Sequence, residues 1–252
     1  MLRLENVRRL LESVTVEGIP ILSLMGHDQE KKAAARASLA FVRDGNIVGL
    51  GSGSTAEHAV RFLGESVQAG LKIRGIPTSQ RTRELAESVG IPLTTLEEFP
   101  EIDVTIDGAD EIDPELQLIK GGGGALLREK IVASASKRMV VIADSSKRVQ
   151  ILGRFPLPVE VIALAEPLLS KKIAALGASV KLRQYAYGNP FVTDEGHHIL
   201  DCQFGEISDP RALARQLDSM TGVVEHGLFV DMASIALIGK GDDVVEFRRN
   251  PR

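Results

Sequence analysis

From residue 29 to residue 143 the chain alternates short apolar runs with helix-patterned segments, and this alternation restricts the fold more than any other feature. Residues 29–43 place Ala33, Ala37, Ala40 and Phe41 on one helical face. After them, 47–50 reads as a strand, 52–55 as a turn, 56–69 as a helix, 72–76 as a strand and 81–88 as a helix. A short extended piece at 92–94, a strand at 103–107, a helix at 125–135 and a strand at 139–143 complete the series. Strands separated by helices need crossover connections, and crossovers join parallel strands. The strands are near-continuous apolar runs, as parallel strands are when both faces are covered. The expectation is an α/β fold around a parallel sheet.

The pattern changes near Phe155. The run FPLPVEVI carries two prolines and reads as a domain connection. A helix at 167–176, strands at 180–183 and 198–204, a helix opening at Asp209-Pro210 and a strand at 223–229 follow, which suggests a smaller α+β domain over 157–228. Asp209 suits an N-cap and Pro210 the first helical position. Segments 235–239 and 244–247 read as strands that return to the first sheet, so the larger domain comprises 25–156 and 229–252.

Residues 1–24 are read as an N-terminal extension of unknown role, with a candidate amphipathic helix over 2–11. An upstream start codon ahead of Met25 is the other reading. The apolar stretch GIPILSL is too short to span a bilayer. Glu5, Glu12 and Glu17 interrupt the basic–apolar–small plan of an export signal.

Composition removes several function classes. The net charge is -4 with no basic block, so neither nucleic acid nor an anionic membrane is expected as a partner. Aromatics are 4% and Trp is absent, which leaves few platforms for stacking bases. The one cysteine, Cys202, lies in the apolar run ILDCQF and is expected as a buried small hydrophobe in a reducing cytoplasm.

Two segments carry chemistry. The first, GLGSGSTA at 49–56, lies between a strand and a helix. Backbone N–H groups at a helix N-terminus attract anions, glycines let a phosphate approach, and Ser52, Ser54 and Thr55 offer hydroxyl donors. A dinucleotide site expects an acid at the end of the next strand, where this chain has Thr78, Ser79 and Thr82. No Gly-Lys-Ser/Thr follows the turn, so a Walker A loop is excluded. Thr78-Ser79 is either a further anion contact or a helix cap.

The second is DGADEIDPELQLIKGGGGALLREK at 107–130. It sets Asp107, Asp110, Glu111 and Asp113 close together, then Lys120, four glycines and Glu129 on a helix. Crowded carboxylates repel one another, so the arrangement suits proton transfer to a polar, anionic substrate better than it suits stability. Repulsion among Asp107, Asp110 and Glu111 is expected to keep one of them protonated near neutral pH. The five histidines show no metal-ligand spacing, and His197-His198 reads as a solvated pair. No GxSxG elbow is present. A carboxylate base, a carboxylic acid and a lysine suffice for proton transfer beside a carbonyl. Ligands of open α/β sheets bind beyond the carboxyl ends of the strands, which would gather SGST, PTS, DGADE and ADSSK.

GLGSGSTA, TSQRT, DGADEID, KGGGGALLREK and ADSSKRVQILGRFPLPVEV together resemble the ribose-5-phosphate isomerase, type A, family from about Lys31 to the tail. The resemblance implies a Rossmann-like domain with a smaller ferredoxin-like α+β domain, assembled as homodimers or homotetramers. It implies metal-free, cofactor-free interconversion of ribose 5-phosphate and ribulose 5-phosphate. Carried onto this chain, it makes Glu129 the base that shuttles a proton between C1 and C2 and Lys120 the group that stabilises the oxyanion. Asp107 and Asp110 would handle ring opening and hydroxyl protons. Ser52, Gly53, Ser54 and Thr55 would form the substrate loop, with Gly108 and Ala109 beside it. Gly121, Gly122 and Gly123 would form the glycine loop, and Lys31 and Lys147 further substrate contacts. Competing readings are a non-catalytic sugar-phosphate sensor, which needs no base, a dehydrogenase, which lacks its ribose acid, and a Schiff-base lysine, which needs a depressed pKa.

Overall fold

A computed structural model of the chain describes residues 15–16 and 19–249. A two-stranded ribbon, Thr15–Val16 with Ile19–Pro20, precedes helix α1 (Ile21–Ser38). Then come β1 (Ile47–Leu50), α2 (Ser54–Gln68), β2 (Arg74–Pro77), α3 (Gln80–Ser88) and β3 (Val104–Asp107). A hairpin of β4 (Glu111–Ile112) and β5 (Leu118–Ile119) leads to α4 (Leu126–Ser134) and β6 (Met139–Asp144). The chain continues through β7 (Leu157–Val161), α5 (Glu166–Ala174), β8 (Ser179–Leu182), β9 (His198–Gln203), α6 (Pro210–Asp218) and β10 (Val223–His226). It ends in β11 (Leu228–Phe229), β12 (Ala233–Lys240) and β13 (Asp243–Arg248).

Six strands form the main sheet in the order β13-β12-β6-β3-β1-β2, parallel throughout except for β13 at the edge. Every residue of β1, β3 and β6 is buried, as the apolar runs required. On one face Ala34, Ala59, Val60 and Leu63 of α1 and α2 pack on Val48, Leu50, Ile106 and Ile142. On the other, Val132 of α4 meets Ile47, Ile76 and Ile102. The result is the Rossmann-like layering expected of strand–helix alternation.

The second sheet is antiparallel, in the order β8-β9-β7-β10. Its chain order is βαββαβ, and the first strand lies inside beside the last, which is the ferredoxin-like arrangement. Leu169 and Ile173 of α5 and Leu217 of α6 pack on Val159, Val161, Leu200 and Cys202. Cys202 is fully buried, and burial pushes its thiol up to about 12. Asp209 caps α6 by accepting from the Ala212 N–H at 2.9 Å.

Three expectations need correction, and the acidic segment takes a form that the sequence reading left open. The FPLPVEVI run is no connection: Leu157–Val161 is a fully buried inner strand. Its prolines sit at the strand's entry, where the Pro158 carbonyl accepts from the Gly227 N–H at 2.7 Å. The strand expected over 223–229 is two strands in different sheets, broken at Gly227. A Cβ at Gly227 would lie 2.2 Å from the Lys120 carbonyl oxygen, so only glycine lets the two backbones approach. The first helix starts at Ile21, earlier than its alanine face indicated. The acidic segment is a hairpin, paired Glu111↔Ile119 and Ile112↔Leu118. The helix expected over 2–11 lies outside the described residues. No helix among the described residues is long and apolar enough to cross a membrane.

Candidate active site

The site forms where β1, β3 and β6 end. Asp107, the last residue of β3, is fully buried. Its Oδ1 accepts from the Ser52 N–H at 3.0 Å and the Gly108 N–H at 2.7 Å, and its Oδ2 lies 3.0 Å from Lys120 Nζ. A Cβ at Gly51 would sit 2.2 Å from Asp107 Oδ1. That glycine makes room for the carboxylate beneath the loop, and not for a phosphate as its motif suggested.

Lys120 follows β5, and its backbone is pinned by the bond from its N–H to the Gly227 carbonyl (2.9 Å). Its ammonium donates to the Gly108 carbonyl at 2.7 Å and lies 3.4 Å from Glu129 Oε2. Burial alone would lower this lysine, but Asp107, Glu129 and Asp110 hold it above its usual range. It is a fixed cation, which disfavours the Schiff-base reading.

Glu129 lies in the first turn of α4 and is 5% exposed. Its Oε2 is buried and receives no hydrogen bond among the described residues. Burial pushes the carboxyl up to about 8; Lys120 opposes the shift, and Asp107 and Asp110 add to it. Burial also raises Asp107, against the pull of Lys120 and of two backbone N–H groups. One ammonium between two buried carboxylates leaves one negative charge uncompensated, so the site holds a proton close to neutral pH.

The other acids of the segment divide by task. Asp110 lines the cleft, and its Oδ2 accepts from the Gly122 N–H at 2.8 Å. Glu111 is turned away and does not join the repelling set: its two oxygens accept from the Gly153 and Phe155 N–H groups, each at 2.7 Å. Asp113 closes the hairpin by accepting from the Glu115 and Gln117 N–H groups. These two carboxylates are structural, because backbone donors in the hairpin and its neighbour satisfy them.

At the cleft's other end, Gly53 caps α2 and the helix N-terminus opens into the cleft. Lys31 of α1 donates to Ser54 Oγ at 3.1 Å. Lys147 arrives from the turn Ser145–Lys147 after β6. Ser52, Gly53, Ser54, Thr55, Gly108 and Ala109 line the same cleft, as do Gly121, Gly122 and Gly123. The structure therefore brings the residues named from the family resemblance to one place, with Asp107 just beneath the surface, and leaves Glu111 and Asp113 outside it. The Ser52 hydroxyl differs from expectation: it is held by Thr78, Ser79 and Thr82 hydroxyls at 2.8, 2.8 and 3.1 Å. Ser79 caps α3 by accepting from the Thr82 N–H, so the PTS segment is a cap.

Sequence reasoning missed the ring of residues behind the site. Arg128 and Lys130 flank Glu129 and tie its helix to the second sheet and its loops. Arg128 Nη1 reaches Asp194 Oδ2 at 3.2 Å, an oxygen that also accepts from the Gln80 N–H at 2.9 Å. Lys130 donates to the His226 carbonyl at 2.6 Å and pairs with Glu225. Arg183 reaches the glycine loop from behind. The cations beside Glu129 in REK were a local signal, but their partners lie 66 and 95 residues away. The histidine pair is not simply solvated: His197 lies 3.0 Å from Glu160 and His198 3.3 Å from Glu166. Among the described residues, His27, Glu30 and Asp144 also converge, as do Asp218, Glu225 and His226, groupings that sequence spacing does not reveal. Ser145 and Gly241 occupy the Glu30 oxygens.

The sequence profile of ribose 5-phosphate isomerase A (phosphoriboisomerase A) matches residues 74–243. Ribose-5-phosphate isomerase A of Parvibaculum lavamentivorans is 55% identical over 230 residues, covering 88% of this chain and all of the relative. The solved ribose 5 phosphate isomerase A of Neisseria gonorrhoeae superposes with a TM-score of 0.84 at 39% identity, over 89% of this chain and 98% of the other. A D-ribose-5-phosphate isomerase solved in complex with phospho-erythronic acid gives 0.86 at 37% identity, over 88% and 99%. Fold and sequence agree over most of the chain's length, and the chain belongs to the ribose 5-phosphate isomerase A family.

Proposed function

We propose that this chain interconverts ribose 5-phosphate and ribulose 5-phosphate through an enediolate, with Glu129 as the base. The supporting observation is a buried carboxylate, pushed up to about 8, beside a fixed ammonium in a cleft that opens at its far end on a helix N-terminus and two lysines. The phosphate docks against the α2 N-terminus, Lys31 and Lys147. Asp110, at the cleft surface, handles ring opening and hydroxyl protons together with Asp107. Glu129 removes the proton from C2 of the open aldose. Electrons move into the carbonyl, and Lys120 stabilises the oxygen that becomes negative. Glu129 returns its proton to C1, the O2 proton passes to O1, and the ketose results. Carbon 1 is reduced as carbon 2 is oxidised, so the reaction balances within the substrate and calls for no electron carrier.

The phospho-erythronic acid complex of the solved relative supports this reading. The ligand is a sugar-acid phosphate whose carboxylate resembles the enediolate in charge and shape. A non-catalytic binder of sugar phosphates would have no use for a buried base held near neutrality. The parallel and antiparallel sheets support a division into a catalytic domain (25–156 and 229–252) and a small domain (157–228). Exposed Ile162, Leu164 and Leu168 on the small sheet's helical side support assembly into homodimers or homotetramers. A reducing cytoplasm suits the buried free thiol of Cys202.

Incubation with ribose 5-phosphate in D₂O and a chelator tests the reading. Ketose formation with deuterium at the exchanging carbon is expected, and its absence at saturating substrate would overturn the proposal.

A further inference from the structure

We propose that Arg183, oriented by Asp201, is a positioning residue for the isomerisation, setting the peptide planes of Gly121–Gly123 so that the loop offers the Gly123 N–H to the bound sugar. This rests on the isomerase reading and extends it to the small sheet.

Arg183 directly follows β8 and does not line the cleft. Its Nη1 donates to the Gly121 carbonyl at 2.8 Å and to the Gly122 carbonyl at 3.2 Å. Asp201 on β9 takes the other edge of the guanidinium, with Nε to Oδ2 at 3.0 Å and Nη2 to Oδ1. The arginine side chain is 13% exposed and the aspartate 27%, so water screens the pair only partly. A planar fork can serve a carboxylate and two carbonyls at once; an ammonium cannot.

Carbonyl and N–H point in opposite directions across a trans peptide. The Gly121–Gly122 peptide is held at both ends, its carbonyl by Arg183 and its N–H by Asp110 Oδ2 at 2.8 Å. The next peptide has its carbonyl on Arg183, which turns the Gly123 N–H away from the arginine, and Gly123 lines the cleft. Three successive glycines have no side chains to restrain them, and Gly121 already stands at φ +102°. Ordering such a loop only on binding would cost conformational entropy at each turnover. The pair on the small sheet prepays that ordering.

The test uses Arg183→Met and Arg183→Ala in the full chain, beside Glu129→Gln. Arg183→Met is expected to lower kcat for ribose 5-phosphate about 10- to 100-fold, the loss that small misplacement of catalytic groups produces. KM should stay within about threefold, since the phosphate cradle is untouched. Affinity for phospho-erythronic acid should fall with kcat, while inhibition by inorganic phosphate should not change. Millimolar guanidinium should restore part of the Arg183→Ala turnover in a saturable way, and Arg183→Lys should fall between wild type and Arg183→Met. Wild-type kcat in Arg183→Met overturns the proposal. So does a parallel loss of phosphate affinity and thermal stability without guanidinium rescue. If Arg183→Met fails to fold, Asp201→Asn carries the test, with a several-fold fall in kcat expected and none overturning it. Normal turnover by Glu129→Gln would defeat the base assignment instead, whereas an inactive Glu129→Gln beside an unaffected Arg183→Met would defeat only the role given to Arg183.

Discussion

Two lysines, one buried and one half-buried, lie over the ring of Phe229, Lys120 at 5.4 Å and Lys130 at 5.0 Å from its centre, and they do opposite work. Lys130 is satisfied: Glu225 pairs with it and the His226 carbonyl accepts from it. Burial lowers its pKa, with Glu225 opposing. The neighbouring His226 is equally settled. Its Nδ1 accepts from the Leu228 N–H at 3.2 Å, so Nε2 carries the proton toward Asp218 at 3.1 Å. Burial and the nearby Lys130 push it down to about 4, which keeps it neutral. Lys120 instead faces two buried carboxylates, each with an oxygen that meets it only as an ion pair, at 3.0 Å from Asp107 and 3.4 Å from Glu129. A lysine and acids therefore do not by themselves make a reactive site. Reactivity arises where the charges do not balance and a buried oxygen is left to accept a proton.

The sharpest test of that contrast is Glu129→Gln, which removes the unbalanced carboxylate. Its kcat should fall about 10²–10⁴-fold, the usual contribution of a general base, measured by direct assay of ketose formation. The base works deprotonated, so wild-type kcat/KM should rise with unit slope up to about pH 8 and level off above it.

Lys120→Met comes next. It should lower kcat about 10²–10³-fold, as loss of an oxyanion donor does. It also removes the group that opposes the rise of Glu129, so the acidic limb of the pH profile should move above its wild-type position.

The same carboxyl gives a stability signature. Its folded pKa is about 8 against an ordinary 4.5, so the folded state binds more protons than the unfolded state between those values. Its stabilising contribution is complete below the unfolded pKa and is lost as pH rises through 8. Glu129→Gln should therefore melt higher than wild type above pH 8, by an amount on the order of a few kcal/mol, with the gap closing toward pH 5. A melting difference independent of pH would contradict the unbalanced charge.

Lys130→Met should do the reverse of Lys120→Met. A stability loss of about 2 kcal/mol is expected from denaturant titration, below the range for a fully buried pair because Glu225 is partly exposed. The kcat should drop less than about tenfold, through loosening of the helix that carries Glu129. The smallest effect is expected for Glu111→Gln, where one N–H loses its carboxylate partner at a cost of about 1–2 kcal/mol, with the position of the acidic limb unchanged.

Much of the molecule could be read from local pattern. The parallel sheet follows from apolar runs alternating with helices, because period and burial are properties of short segments. The residues that meet at the cleft were legible for the same reason: Ser52–Thr55, Asp107–Asp110, Lys120–Gly123 and Glu129 sit in short, unusual strings near strand ends, where an α/β sheet gathers its loops. What stayed hidden depends on contacts distant in sequence. Asp107 and Glu111 are both acids in one string, yet one ends beneath the cleft and the other on the Gly153 and Phe155 N–H groups. Pro158 looked like a linker and is inside a sheet. Gly227 looked like mid-strand and is where two sheets meet.

By itself, then, the order of residues determined the layered α/β architecture, the place of the cleft and the set of groups that line it, since each rests on local periodicity and on loop chemistry at strand ends. Only the folded structure decided which carboxylates share one ammonium, which lysine is balanced, and that Arg183 holds the glycine loop from 61 residues away. Those depend on how charges are buried and paired in space, and desolvation acts on a group's neighbours in three dimensions, not on its neighbours in the chain.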